Sequence, residues 1–76
     1  VPRPVTPYFH RRSPEHGVTR RDVEAALASE VHRETQADGR FHVWGYSPRH
    51  GRFLRVVLLA DGVTVHNAFP DRNFKP

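Results

Sequence analysis

His66, Arg55 and Arg72 are the residues of this chain whose types and spacing suit chemistry at a phosphate. Histidine titrates near neutral pH, so it can take or give a proton under ordinary conditions. A guanidinium presents a planar fork that fits a phosphate better than the point charge of lysine. Their proximity follows from one hairpin. Asp61-Gly62 between two apolar runs predicts a two-residue type I′ loop. That loop sets Ala60 opposite Val63, Leu58 opposite Val65 and Val57 opposite His66. Side chains alternate along a strand, so Leu54, Val56, Leu58, Ala60, Val63, Val65 and Phe69 share one face. Arg55, Val57, Leu59, Thr64, His66 and Ala68 share the other, and Arg55 and His66 become diagonal neighbours able to act on one ligand. A turn at Pro70 then returns Arg72 toward them, while Arg49, His50 and Arg52 stand on the neighbouring loop. Plainer assignments compete: His66 as a half-exposed strand histidine, Arg55 paired with Glu30 or Asp71, and Arg72 paired with Asp71 or Glu34.

The elements that must position these groups are few. Residues 1–17 hold Pro2, Pro4, Pro7 and Pro14, which disfavour a helix or a central strand, so "VTPYF" is expected as a short edge strand and "HRRSPEHG" as a basic loop. Thr19 with Asp22 forms a capping box, and Val18 with Val23 a hydrophobic staple. Val23, Ala26, Leu27 and Val31 keep helical spacing, which predicts a helix over 20–33 closed by a turn at Gly39. "RFHVWGY" and "RFLRVVLLA" read as strands joined through "SPRHG", the second apolar on both sides and hence central, with "VTVHNAF" as the return strand. If all five residues of "SPRHG" are loop, His42, Trp44 and Tyr46 join the helix-covered face; a four-residue loop puts them on the other. The expected fold class is α+β: one domain over 1–76, with one main N-terminal helix on one face of a small antiparallel sheet of three to four strands.

Composition narrows the function. The chain has 76 residues, 12 basic against 8 acidic side chains, a net charge of +4 and six histidines. Eleven of the twelve basic residues are Arg, which favours polyanionic partners, RNA above all. Cysteine is absent, which removes disulfides and thiolate metal sites and fits a reducing compartment. No apolar run approaches the roughly 18 residues that span a bilayer, so a cytoplasmic protein without a membrane partner is expected. The histidines show no HExxH spacing, and Ser13, Ser29 and Ser47 lack a Gly-rich elbow. Neither a metal nor a nucleophilic serine is expected, and no nucleotide-binding fingerprint is present.

Three stretches carry a resemblance. "EHGVTRRDVEAAL", "GRFHVWGYSPRHGRFLRVVLLADG" and "VTVHNAFPDRNFKP" together resemble the RelE/BrnT superfamily of small bacterial toxins over about residues 10 to 75. The resemblance implies a compact toxin fold, a cognate antitoxin that masks the active face, and cleavage of RNA, on or off the ribosome, without metal or other cofactor. His66 matches the family's histidine at the end of the last strand, and Arg72 the arginine that follows it. Phe74-Lys75 stands where a Lys-Tyr pair is usual, so Tyr46 or His66 would take the acid/base task. RNA cleavage through its own 2′-OH needs a base, an acid and cations around the phosphate. On this reading His66 is the acid/base, and Arg55 and Arg72 clamp the phosphate. Arg49, His50, Arg52 and His42 supply approach contacts, and Arg11, Arg12 and Lys75 extend the basic surface. The alternative is a non-catalytic module of the same fold that binds nucleic acid or protein.

Overall fold

The computed structural model describes residues 3–76. Two helices, α1 (Pro7–His16) and α2 (Arg20–Ala28), precede four strands: β1 (Glu30–Thr35), β2 (Phe41–Ser47), β3 (Arg52–Leu58) and β4 (Val65–Pro70). The strands form one antiparallel sheet in the order β1-β2-β3-β4. The α+β architecture is therefore the expected one, with a helix and a strand that the sequence pattern concealed.

α1 replaces the expected edge strand and basic loop. Pro7 sits where a helix needs no N–H donor, and the Thr6 side chain caps the helix by accepting from Phe9 N–H at 3.1 Å. Gly17, at φ 66°, ends it in the left-handed conformation. What remains of the edge strand is a single parallel bridge, Val5 to Val65. α2 starts as expected: Asp22 N–H donates to Thr19 Oγ1 at 3.2 Å and Thr19 N–H to Asp22 Oδ2 at 2.8 Å. It stops five residues short of the expected end. Ser29 turns the chain: its hydroxyl lies 3.0 Å from the Ala25 carbonyl and accepts from Tyr46 N–H at 3.1 Å, which fastens the helix end to β2. Val31, which matched helical spacing, is 51 % exposed on β1. Gly39 (φ 87°) belongs to the β1–β2 turn rather than to a helix cap.

Both helices pack one face of the sheet. Phe9, Val18, Val23 and Ala26 meet Val43, Leu54, Val56, Leu58, Val65 and Ala68 in a single buried cluster. At Gly45 the Ala26 carbonyl lies where a Cβ would sit, so only glycine lets α2 approach β2 this closely. Ser47 pairs with Arg52, which makes the first hairpin loop four residues long and sends Trp44 and Tyr46 to the uncovered face.

The second hairpin departs from expectation. Leu58 opposes Val65 as predicted, but through a six-residue connection over 59–64 rather than a two-residue turn. Asp61 organises it, accepting from Val63 N–H at 2.8 Å and Thr64 N–H at 2.9 Å. A bulge follows at His66, so Val57 opposes Asn67 and Arg55 opposes Phe69. One inserted residue exchanges the faces downstream. Ala68 enters the core and Phe69 joins Arg55, the reverse of the expected assignment.

Candidate functional site

The three residues expected around one phosphate stand in three surroundings. β4 does not turn back at Pro70; Leu54 pairs with Pro70 and Asp71 N–H donates to Phe53 O at 3.0 Å. His66 stands near the start of β4 and Arg72 beyond its end, on either side of the paired stretch 67–70. The expected convergence of His66, Arg55 and Arg72 is therefore not realised.

His66 lies against the N-terminal arm. Thr6 N–H donates to Val65 O at 3.0 Å and Val65 N–H to Pro4 O at 2.9 Å, which draws the start of α1 onto β4. Thr6 Oγ1 is then 3.1 Å from His66 Nδ1, and the Tyr8 ring stacks on the imidazole with centroids 4.8 Å apart and planes at 18°. One helical turn on, the Arg12 guanidinium lies 5.6 Å from the Tyr8 centroid and pairs with Glu15 at 3.0 Å. Burial, and then the positive charge of Arg40, hold the His66 pKa below the ordinary histidine value. Both favour the neutral imidazole, and no hydrogen bond engages Nε2 among the described residues. Tyr8 and Arg12 were not singled out as a pair by sequence reasoning. Their signal was the i, i+4 spacing behind a Thr6-Pro7 helix start, masked by the count of prolines.

Arg55 is bound into the uncovered face. Its Nε and Nη2 donate to Asp71 Oδ2 at 3.1 and 2.8 Å, and Trp44 Nε1 donates to the same oxygen at 2.9 Å. The guanidinium lies 5.3 Å from the ring centroids of both Trp44 and Phe69. The hydrogen bond from Trp44, followed by those from Arg55, holds the buried Asp71 carboxyl below its usual range. Of the competing assignments, the pairing of Arg55 with Asp71 is the observed one. His42 lies beside this group, edge-on to Trp44 at 6.0 Å. Its pKa is lowered by burial first and by the Arg55 charge second.

Arg72 is exposed at the far end of β4, where it and Arg52 line two adjoining open depressions. One also holds Tyr46, Phe53 and Phe74; the other holds Glu15, His16 and His50. Among the described residues, neither Arg52 nor Arg72 has an ion-pair partner. Tyr46 is exposed there, edge-on to Phe53 at 5.4 Å, well away from His66.

Arg49 and His50 have other work. Arg49 Nε donates to Asp22 Oδ1 at 2.9 Å, and this bond above all holds the Asp22 carboxyl far below the usual carboxylate range. His50 Nδ1 lies 2.8 Å from Ser47 Oγ, and Nε2 donates to Gly17 O at 2.9 Å. Together they staple the β2–β3 loop to the α1–α2 junction. Arg11 is exposed on α1 and Lys75 in the tail. Among the described residues, no cluster of His, Asp or Glu is placed to hold a metal ion, and no helix is long and apolar enough to cross a membrane.

Fold and surface define a small α+β domain with a basic, aromatic exterior. Comparison with protein-family models, curated proteins and solved structures gives no match.

Proposed function

We propose that the protein is the toxin of a toxin–antitoxin pair, a metal-independent endoribonuclease of the RelE/BrnT kind that arrests translation and growth. The observation that carries this reading is the His66–Tyr8–Arg12 group, an imidazole stacked on a phenol with a guanidinium one helical turn beyond. His66 Nε2 takes the proton of the RNA 2′-OH, and that oxygen attacks the adjacent phosphorus. The 5′ oxygen leaves with a proton from the Tyr8 hydroxyl, giving a 2′,3′-cyclic phosphate and a free 5′-OH. Arg12 and Arg40 offset the charge that grows on the phosphate. Arg52 and Arg72 hold neighbouring phosphates along the chain. Tyr8 thus takes the acid task that falls vacant where Phe74-Lys75 stands in place of a Lys-Tyr pair, while Arg55 acts on the fold rather than on the phosphate.

Inducible expression in a bacterial host, with and without the adjacent antitoxin frame, tests the reading through growth and mapped RNA ends. Arrest with new 5′-OH ends is expected. His66→Ala and Tyr8→Phe each abolish the ends, whereas Arg72→Ala lowers their yield. Intact cleavage in His66→Ala protein would refute the assignment. The spread of His66, Arg55 and Arg72 over three surroundings favours a second reading, a non-catalytic nucleic-acid-binding module. It predicts salt-dependent binding with no new RNA ends.

A further inference from the structure

Across the uncovered face of the sheet, the tail after β4 lays one ring on another. Phe74 stacks on Trp44 with centroids 5.2 Å apart and planes at 14°. His32 and Phe53 flank it at 6.2 and 5.4 Å. Under this cover the indole is only 6 % exposed. We propose that Trp44 is a stacking platform for an unpaired nucleobase, and that Phe74 occupies it until single-stranded RNA displaces the ring.

Three observations support displacement. First, the platform is oriented without its cover: Trp44 Nε1 is fixed by Asp71 and the indole is flanked by Arg55, and neither contact involves Phe74. Second, the cover is lightly held. Its backbone makes one long hydrogen bond, Phe74 N–H to Asp71 O at 3.4 Å, and Lys75 beyond it is exposed. Third, Phe74 is a wall shared by two depressions, one with Arg52, Arg72 and Tyr46, the other with Val31 and His32. Moving the ring aside joins them into one groove across Trp44, with two unpaired guanidiniums at one end. A planar occupant lying nearly parallel to an indole, beside arginines without carboxylate partners, is the arrangement a single strand needs. Bases stack on aromatic side chains, and phosphates meet arginine. A duplex keeps its bases stacked internally and cannot use such a platform.

This inference rests on the reading of the chain as RNA-directed, and its test separates the two. Trp44 is the only tryptophan, so its emission reports the platform alone. The probes are 2′-O-methyl hexaadenylate, which cannot be cut through a 2′-OH, a duplex of the same length, and an abasic strand of the same length. Hexaadenylate is expected to quench Trp44, with the duplex and the abasic strand giving little change. Phe74→Ala binds hexaadenylate about tenfold more tightly and shows red-shifted emission before ligand is added. Phe74→Leu, which keeps an apolar cover, lies between the two and serves if the alanine variant loses its circular dichroism. If binding needs Arg72 yet Trp44 does not respond and neither Phe74 variant binds more tightly, the platform is refuted and the RNA reading stands. If base-dependent quenching occurs but wild-type protein yields no RNA ends, the platform stands and the nuclease reading is refuted. Absence of any binding to the three probes overturns the platform as well.

Discussion

The two faces of the sheet solve the same burial problem with different chemistry. On the helix-covered face, the side chains of Val43, Leu54, Val56, Leu58, Val65 and Ala68 pack in one apolar cluster with the helices. On the other face Trp44, Phe53, Phe69 and Phe74 bury rings around one carboxylate, Asp71, which receives Trp44 and Arg55. Apolar burial is non-directional, so what that face demands is close fit. A carboxylate with three donors demands bond geometry as well, because losing any partner leaves a buried polar group unpaired. The difference teaches where function has room. Charges that the second network leaves unmatched, Arg52 and Arg72, face outward at its rim.

The comparison breaks most completely at the helix-covered face. Gly45→Ala drives a methyl into the Ala26 carbonyl and must push α2 off β2. A loss of roughly 3 kcal/mol or more is expected, read as a collapse of the urea midpoint, with the protein largely unfolded at 25 °C. Next in size is Asp71→Asn, which weakens the second face and leaves the first intact. A loss of about 2 kcal/mol is expected, with red-shifted Trp44 emission.

Acid sharpens the same contrast. Asp71 and Asp22 both have folded pKa values below their unfolded ones. Their contribution is therefore fully present above the unfolded carboxylate value and is lost as pH falls through the folded values. Stability should decline from about pH 4 downward. In Asp71→Asn protein that decline is shallower, as urea titrations across pH 2–6 would show.

Smaller effects lie at the rim. Arg52→Ala and Arg72→Ala should change stability by less than about 0.5 kcal/mol. Each should reduce the slope of log affinity for RNA against log salt by about 1. A fall in stability with an unchanged slope would mean that these arginines belong to the network after all. The smallest signal is His66. Because burial lowers its folded pKa, the unfolded chain takes the proton more readily. Its term favours the fold above the folded-to-unfolded window and weakens as pH falls below the unfolded value. An NMR titration midpoint for His66 below the ordinary histidine value would bear this out, and Thr6→Val should shift that midpoint.

Particular residues show what was legible beforehand. The Thr19–Asp22 capping box and a central strand starting at Arg52 follow from local rules, since each involves neighbours in sequence. The strand ends at Leu58 rather than Ala60, and Leu58 meets Val65 through a longer connection than the two-residue turn that predicted the pairing. α1 is hidden in the sequence pattern by its prolines, although Pro7 falls at a first-turn position where its missing donor costs nothing. β1 was hidden because Val31 matched helical spacing by coincidence.

Sequence by itself determined an α+β chain, an arginine-rich charge, a helix start at Thr19 and a short list of polar residues. Tertiary structure alone decided which of them meet. The bulge at His66 exchanged the faces of Ala68 and Phe69, and so separated His66 from Arg55. The arm 4–6, paired with Val65, brought Tyr8 onto His66 across nearly the whole chain. Asp71 claimed Arg55, leaving Arg52 and Arg72 outside. The physical reason is shared by all three. A one-residue register change and a choice among carboxylate partners are settled by packing across the sheet, which no local spacing records.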